Sequence, residues 1–292
     1  MDNARSHTPL LELLDLKSLG EGLFVSPPGK DGRQRVYGGQ TAAQALAAAS
    51  FTVDDEHVCH SVHSRFLRPG QPGRPVDFEV TSLQDAKRFA TRLVIGSQRD
   101  TPMFQLSASF QLDPGTSPVV HTDAPTAPAA DTLPTEEENL AALSDKMPEQ
   151  ARARLQHRWP MELRHVDRAQ SLRGWFGEQP QPADQLVWMR MRDRLPEIPN
   201  LHRCALAYGI DALLVPSCFM RLPLSLLDET LQIASLDHCL WFHGPFAADE
   251  FLLVRTRSNH VSDGRGMTES QVFQAGKLVA TVVQEALIHQ RP

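Results

Sequence analysis

The sequence predicts an α+β fold of two tandem units, each an antiparallel sheet wrapped around one long helix. Three observations predict it. An Ala-rich helical run is followed by strand-length stretches, an apolar helical run later in the chain is followed by more of them, and the two halves repeat each other in order. Residues 1–113 make the first unit, 114–158 a Pro-rich linker with a helix, and 159–292 the second.

The elements follow in order. Thr8 to Leu16 reads as a short helix, with Thr8 as N-cap, Pro9 in the first turn and Leu10, Leu13, Leu14 and Leu16 on its buried face. A Gly- and Pro-marked loop leads to Tyr37-Gly38-Gly39-Gln40. The run from Thr41 to Ser50 is a good helix former whose small side chains permit close packing on a sheet. Four strands follow at His57 to Leu67, Pro75 to Leu83, Arg88 to Ser97 and Met103 to Leu112, with turn residues such as Pro69-Gly70 and Arg99-Asp100 between them.

From Asp113 to Pro134 five prolines interrupt any regular element (Pro114, Pro118, Pro125, Pro128 and Pro134). A helix begins near Thr135, with Glu136, Glu137 and Glu138 favourable in its first turn. Strands are predicted at Met161 to Val166 and Gln185 to Arg194, a helix at Arg203 to Val215, and strands at Gln232 to Phe242 and Glu250 to Asn259. A hairpin from Gly266 to Ile288 turns at Ala275-Gly276.

The repeat is read from three matches. Tyr37-Gly38-Gly39-Gln40 lies over Tyr208-Gly209-Ile210-Asp211 at an offset of 171. His63 to Leu67 lies over His238 to Phe242, and Phe104 to Phe110 over Val279 to Glu285, both at 175. Two such units are expected to join their sheets edge to edge.

Composition bounds the function. The 292 residues are 41% hydrophobic and 22% charged, ordinary for a globular chain. A formal charge of −6 gives no basic surplus for nucleic acid. Cys59, Cys204, Cys218 and Cys239 show no CxxC spacing and read as free thiols in a reducing compartment. Met1 to Leu10 has no secretory signal pattern, no apolar stretch is long enough to span a membrane, and His289 to Pro292 is not a peroxisomal address. Cytoplasm follows by elimination.

No nucleophile elbow, phosphate loop or dinucleotide fingerprint occurs. His57, His60 and His63 have ligand-like spacing, but strand alternation puts His57 and His63 on one face and His60 on the other, against a shared metal. Asp211 stands inside an apolar helical context, where a carboxylate needs hydrogen bonds or a charge partner; a helix-surface or N-cap aspartate is the alternative. In the strand Gln232 to His243, alternation groups Ser235 with Asp237, Cys239 and Trp241, with Leu236, His238, Leu240 and Phe242 opposite. Ser235 offers a hydroxyl near a helix carboxylate or is an ordinary strand serine. Gln284 ends an apolar run, where its amide orients a water or marks strand-end polarity.

Several segments together resemble the type II acyl-CoA thioesterase family: Tyr37-Gly38-Gly39-Gln40, His60 to Gly70, Gln232 to His238, Trp241-Phe242-His243 and Val279 to Glu285. The likeness runs from about Leu10 to Ile288 with the motifs in order. It implies a double hotdog fold, hydrolysis of acyl-CoA to fatty acid and CoA, no cofactor or metal, and assembly into homo-oligomers. It also implies a water-binding set of Asp, Thr or Ser, and Gln, falling on Asp211, Ser235 and Gln284. The repeat then gives Gln40 and Ser109 as the first-half counterparts of Asp211 and Gln284, leaving one complete site, with Gln40 lining a neighbouring pocket. Backbone N–H groups around Gly39 or Gly209 are expected to bind the oxyanion. Arg33, Arg35, Arg65 and Arg68 are candidates for the CoA phosphates. Two rivals remain: an enoyl hydratase using Asp237 and His238, which alternation puts on opposite faces, and a non-catalytic acyl-CoA binder. Two departures from the family pattern stand out. Ser235 lacks the methyl of the usual Thr, and Ala86 follows Asp85 where Gly is usual.

Overall fold

The computed structural model describes residues 9–29, 35–112, 120, 122–142, 159–167, 184–219, 222, 224–225, 228 and 230–290. Helix α1 spans Leu10–Leu13, with Pro9 at its N-cap; Thr8 lies outside the described residues. Strands β1 (Lys17–Gly20) and β2 (Leu23–Val25) form a hairpin where a loop was expected. Four and three residues are too short to show a period. Glu21 and Gly22 take positive φ of 51° and 76° at the turn, and the Gly22 carbonyl accepts from Val80 N–H at 2.9 Å.

Helix α2 spans Gly38–Ser50, and nearly all of it is buried. Strands β3 (His57–Phe66), β4 (Asp77–Asp85), β5 (Phe89–Gln98) and β6 (Thr101–Leu112) match the four expected strands within a few residues. Alternation is clear in β5 and in most of β6, where Ala90, Val94, Phe104, Leu106, Ala108 and Phe110 are buried. Helix α3 (Glu136–Ala141) starts with a capping box, Thr135 and Glu138 each binding the other's backbone N–H. The linker lies against the second unit: Trp188 Nε1 donates to Pro128 O, and Arg164 Nη1 to Leu133 O.

The second half contains β7 (Met161–His165), β8 (Asp184–Met191) and α4 (Pro199–Phe219). Strands β9 (Leu231–Ser235), β10 (Asp237–Phe242), β11 (Leu252–Ser262), β12 (Arg265–Gln274) and β13 (Lys277–Gln290) follow. Helix α4 is longer than expected at both ends. The strand expected over Gln232 to Phe242 is interrupted at Leu236.

All strands join one antiparallel sheet in the order β1-β2-β4-β5-β6-β3-β10-β13-β12-β11-β8-β7, with β9 also on β13. The halves meet where β3 pairs β10, from Arg65 opposite Asp237 to Ser61 opposite Trp241. Helices α2 and α4 pack on each other inside the sheet's curve, in one continuous apolar core. The contact is close because it uses glycine. A Cβ on Gly39 would stand 2.3 Å from Tyr208 O. No described helix is long and apolar enough to cross a membrane.

The fold corrects the repeat. Tyr37 is the N-cap of α2, whereas Tyr208 lies inside the longer α4, which begins several residues before it. The helices differ in length, so their starts are offset by 161 and their ends by 169, and neither end fixes the helix alignment. The strand registers, by contrast, fix an offset of 176, from Cys59 to Ser235 and from Phe110 to Ala286. Within these segments, Gly39 admits the Tyr208 carbonyl, and Gly209 admits the sulfurs of Met189 and Met161.

Candidate active site

Asp211 stands in the middle of α4, 6% exposed, facing the first turn of α2. Its Oδ2 accepts the Gly39 N–H at 2.8 Å. Its Oδ1 accepts the Ser235 hydroxyl at 3.0 Å. Gln284 Nε2 in turn donates to Ser235 Oγ at 3.0 Å. The expected three residues are therefore one connected set, and its carboxylate sits at a helix N-terminus, where peptide dipoles favour negative charge. Gly38 is required there as well. A Cβ on it would lie 2.9 Å from Asp211 Oδ2 and 3.0 Å from the Phe66 ring.

Ser235 reaches Asp211 because the strand breaks parity. Ser235 pairs with Ala286, and Cys239 with Val283, so one residue is extra between them. That residue is Leu236, a β-bulge. Its N–H donates to Glu285 O, its carbonyl accepts from Phe66 N–H, and the Asp237 carboxylate takes the Glu285 N–H. Ser235 thus shares the inner face with Gln284, His238 and Leu240. The grouping of Ser235 with Asp237, Cys239 and Trp241 is overturned, because alternation does not survive a bulge. Asp237 and His238 do stand on opposite faces.

A second bulge corrects the histidines. The β3–β6 register shifts between Cys59 and Ser61, which leaves His60 extra. His57 then points inward and His63 outward, so those two do not share a face. His60 Nε2 bonds Ser109 Oγ at 2.8 Å, and His63 packs edge-on against Trp241.

The counterparts of the set follow from the corrected offset. Cys59 occupies the position of Ser235, and Ala108, not Ser109, that of Gln284. Gln40 makes no hydrogen bond to the set among the described residues; it borders a small pocket with Ser26, Val36 and Arg74. At Cys59 the corner is closed by Asn200, whose side chain binds Cys59 N–H and His57 O. Burial pushes the Cys59 thiol up to about 12, far from a thiolate nucleophile.

The other expected ligands are placed as follows. Gly209 lies inside α4, so its amide belongs to the helix ladder and offers nothing to an oxyanion. The Gly39 amide is engaged by Asp211. Arg65 is exposed on the outer face opposite Asp237, Arg68 is exposed and donates to Pro102 O at 2.7 Å, and Arg35 is exposed. Arg33 lies outside the described residues. What sequence reasoning missed is the bulge at Leu236 and the burial of His238; no local pattern announces either.

Comparison with known proteins identifies the family and the fold. Residues 26–111 match the family described as acyl-CoA thioesterase N-terminal domain, and 144–288 the acyl-CoA thioesterase C-terminal domain. Human acyl-coenzyme A thioesterase 8 is 31% identical over 96% of this chain and 88% of its own. The crystal structure of acyl-CoA thioesterase II TesB2 from Mycobacterium marinum superposes with a TM-score of 0.75 at 34% identity, covering 96% of this chain and 98% of that one. A hot dog fold protein from Alicyclobacillus acidocaldarius, 18% identical, gives a TM-score of 0.75 over 97% of this chain and 98% of its own, and so shares the fold. With the two long helices α2 and α4 packed on a single sheet, the chain is a double hotdog and belongs to the acyl-CoA thioesterase family.

Proposed function

We propose that the chain hydrolyses fatty acyl-CoA to fatty acid and CoA by direct attack of a water held at Asp211, Ser235 and Gln284. The observation that carries this reading is the unbroken chain of donors, from Gln284 Nε2 to Ser235 Oγ to Asp211 Oδ1, with Gly39 N–H on the second carboxylate oxygen.

The chemistry follows from that order. Asp211 takes one proton of the water as its oxygen attacks the thioester carbonyl. Ser235 and Gln284 fix the geometry in advance, which removes part of the entropic barrier. The carbon–sulfur bond then breaks, and the thiolate leaves with little acid assistance, since a thiol has a pKa of about 8.5. The oxyanion falls to the first-turn amides of α2, where Gln40 N–H precedes the helix ladder. Cys59 and Ala108 supply neither a hydroxyl nor an amide side chain, which supports one site per chain.

Direct attack releases CoA and acid together. Rapid-quench kinetics with a saturated acyl-CoA should therefore show linear CoA release from the first turnover. A burst equal to the enzyme concentration would instead mean an acyl-enzyme on Ser235 or Asp211.

A further inference from the structure

Gln284 is held on one side only. Its Nε2 donates to Ser235, while its Oε1 is enclosed and has no hydrogen-bond partner among the described residues. A primary amide presents a donor or an acceptor depending on which way it is turned. Turned over, Gln284 would present Oε1 to Ser235 and compete with Asp211 for the one proton of that hydroxyl. Something must forbid this orientation.

His238 stands in the right place. The register that pairs Cys239 with Val283 and Leu240 with Val282 sets His238 across from Gln284 on the inner face. Directly opposed residues of an antiparallel pair have Cβ atoms about 4.5–5.5 Å apart. The ring is 0% exposed, and both its nitrogens, like Gln284 Oε1, lack a partner among the described residues. Burial drives its pKa down to about 3, so the ring is neutral and carries one N–H. An enclosed donor and an enclosed acceptor on facing positions each lose their hydration unless they satisfy one another.

We propose that the His238 N–H holds Gln284 Oε1 through one enclosed water and thereby keeps Nε2 on Ser235. His238 is then a positioning residue for the hydrolysis proposed above, on which this inference rests. It touches neither substrate nor the attacking water. Its influence passes wholly through the amide.

A double-mutant cycle in kcat tests this. His238→Leu should fold, lower kcat about tenfold and leave KM within about twofold. His238→Gln, which restores an N–H donor, should recover most of the loss. In a Gln284→Leu background, His238→Leu should change kcat by less than about twofold, because the amide it positions is gone. Multiplicative losses in the cycle, an equal loss in His238→Gln, or full kcat in His238→Leu would each overturn the proposal. If His238→Leu does not fold, His238→Met, which likewise lacks the N–H donor, and the Gln284→Leu, His238→Met pair supply the same comparison. The two readings fail differently. Full activity in Gln284→Leu itself removes the amide from the reaction and with it any role for His238, whereas a large loss in Gln284→Leu with a multiplicative cycle leaves the reaction standing and refutes only the positioning.

Discussion

At the scale of single residues, His238 joins chemistry to stability. In the unfolded chain an imidazole titrates near 6.5, but burial holds the folded ring near 3. Between those values the unfolded state binds a proton that the folded state refuses, so folding stability falls as pH drops below 6.5 and the loss is complete near 3. The slope is about 1.36 kcal/mol per pH unit. Urea unfolding at pH about 7.5 and about 5 should show wild type losing about 2 kcal/mol more than His238→Leu. Equal losses in the two proteins would place the folded imidazole near its ordinary range. His238 was visible in the sequence only as half of a rejected acid–base pair. Asp211 was legible as a carboxylate in an apolar helix, because charge there demands partners. Ser235 and Gln284 were not legible from local pattern, and only the family likeness singled them out.

At the scale of elements, two glycines and the bulge at Leu236 build the site. Gly39 brings the α2 N-terminus against Tyr208 O and lets its own N–H reach Asp211. A methyl at that position would meet a backbone oxygen at 2.3 Å, and backbone does not move aside cheaply. Gly39→Ala should therefore destabilise the protein by about 1–3 kcal/mol, and kcat should fall with it as the carboxylate loses its amide. Unchanged chemical denaturation and unchanged turnover would show that the helices slide apart at no cost. The bulges explain the errors of the sequence reading. Alternation assumes an unbroken pleat, so one extra residue at Leu236 or at His60 inverts every assignment beyond it. A bulge has no short-range signature in Ser235-Leu236-Asp237, and only the register with β13 reveals it. The hairpin β1–β2 escaped notice for the simpler reason of length.

At the scale of the whole molecule, order survived better than alignment. The long helices and the strands that follow them stand close to where hydrophobic pattern and turn residues put them, and the sheets do join, through β3 and β10. The strand repeat moves by one residue, to an offset of 176 where 175 was read, while the two helices differ in length and fix no offset of their own. The correction changes what the first half contains. Its counterpart of Ser235 is a buried thiol and its counterpart of Gln284 is an alanine, so the two halves share a scaffold while one corner carries the polar set. That asymmetry makes Asp211 the group on which the account depends. The most direct test is steady-state thiol release from a saturated acyl-CoA by wild type and by Asp211→Asn. The account predicts an unchanged fold and a fall in kcat of about 10²–10⁴, the range expected for loss of a general base. Turnover by Asp211→Asn close to that of wild type would contradict it.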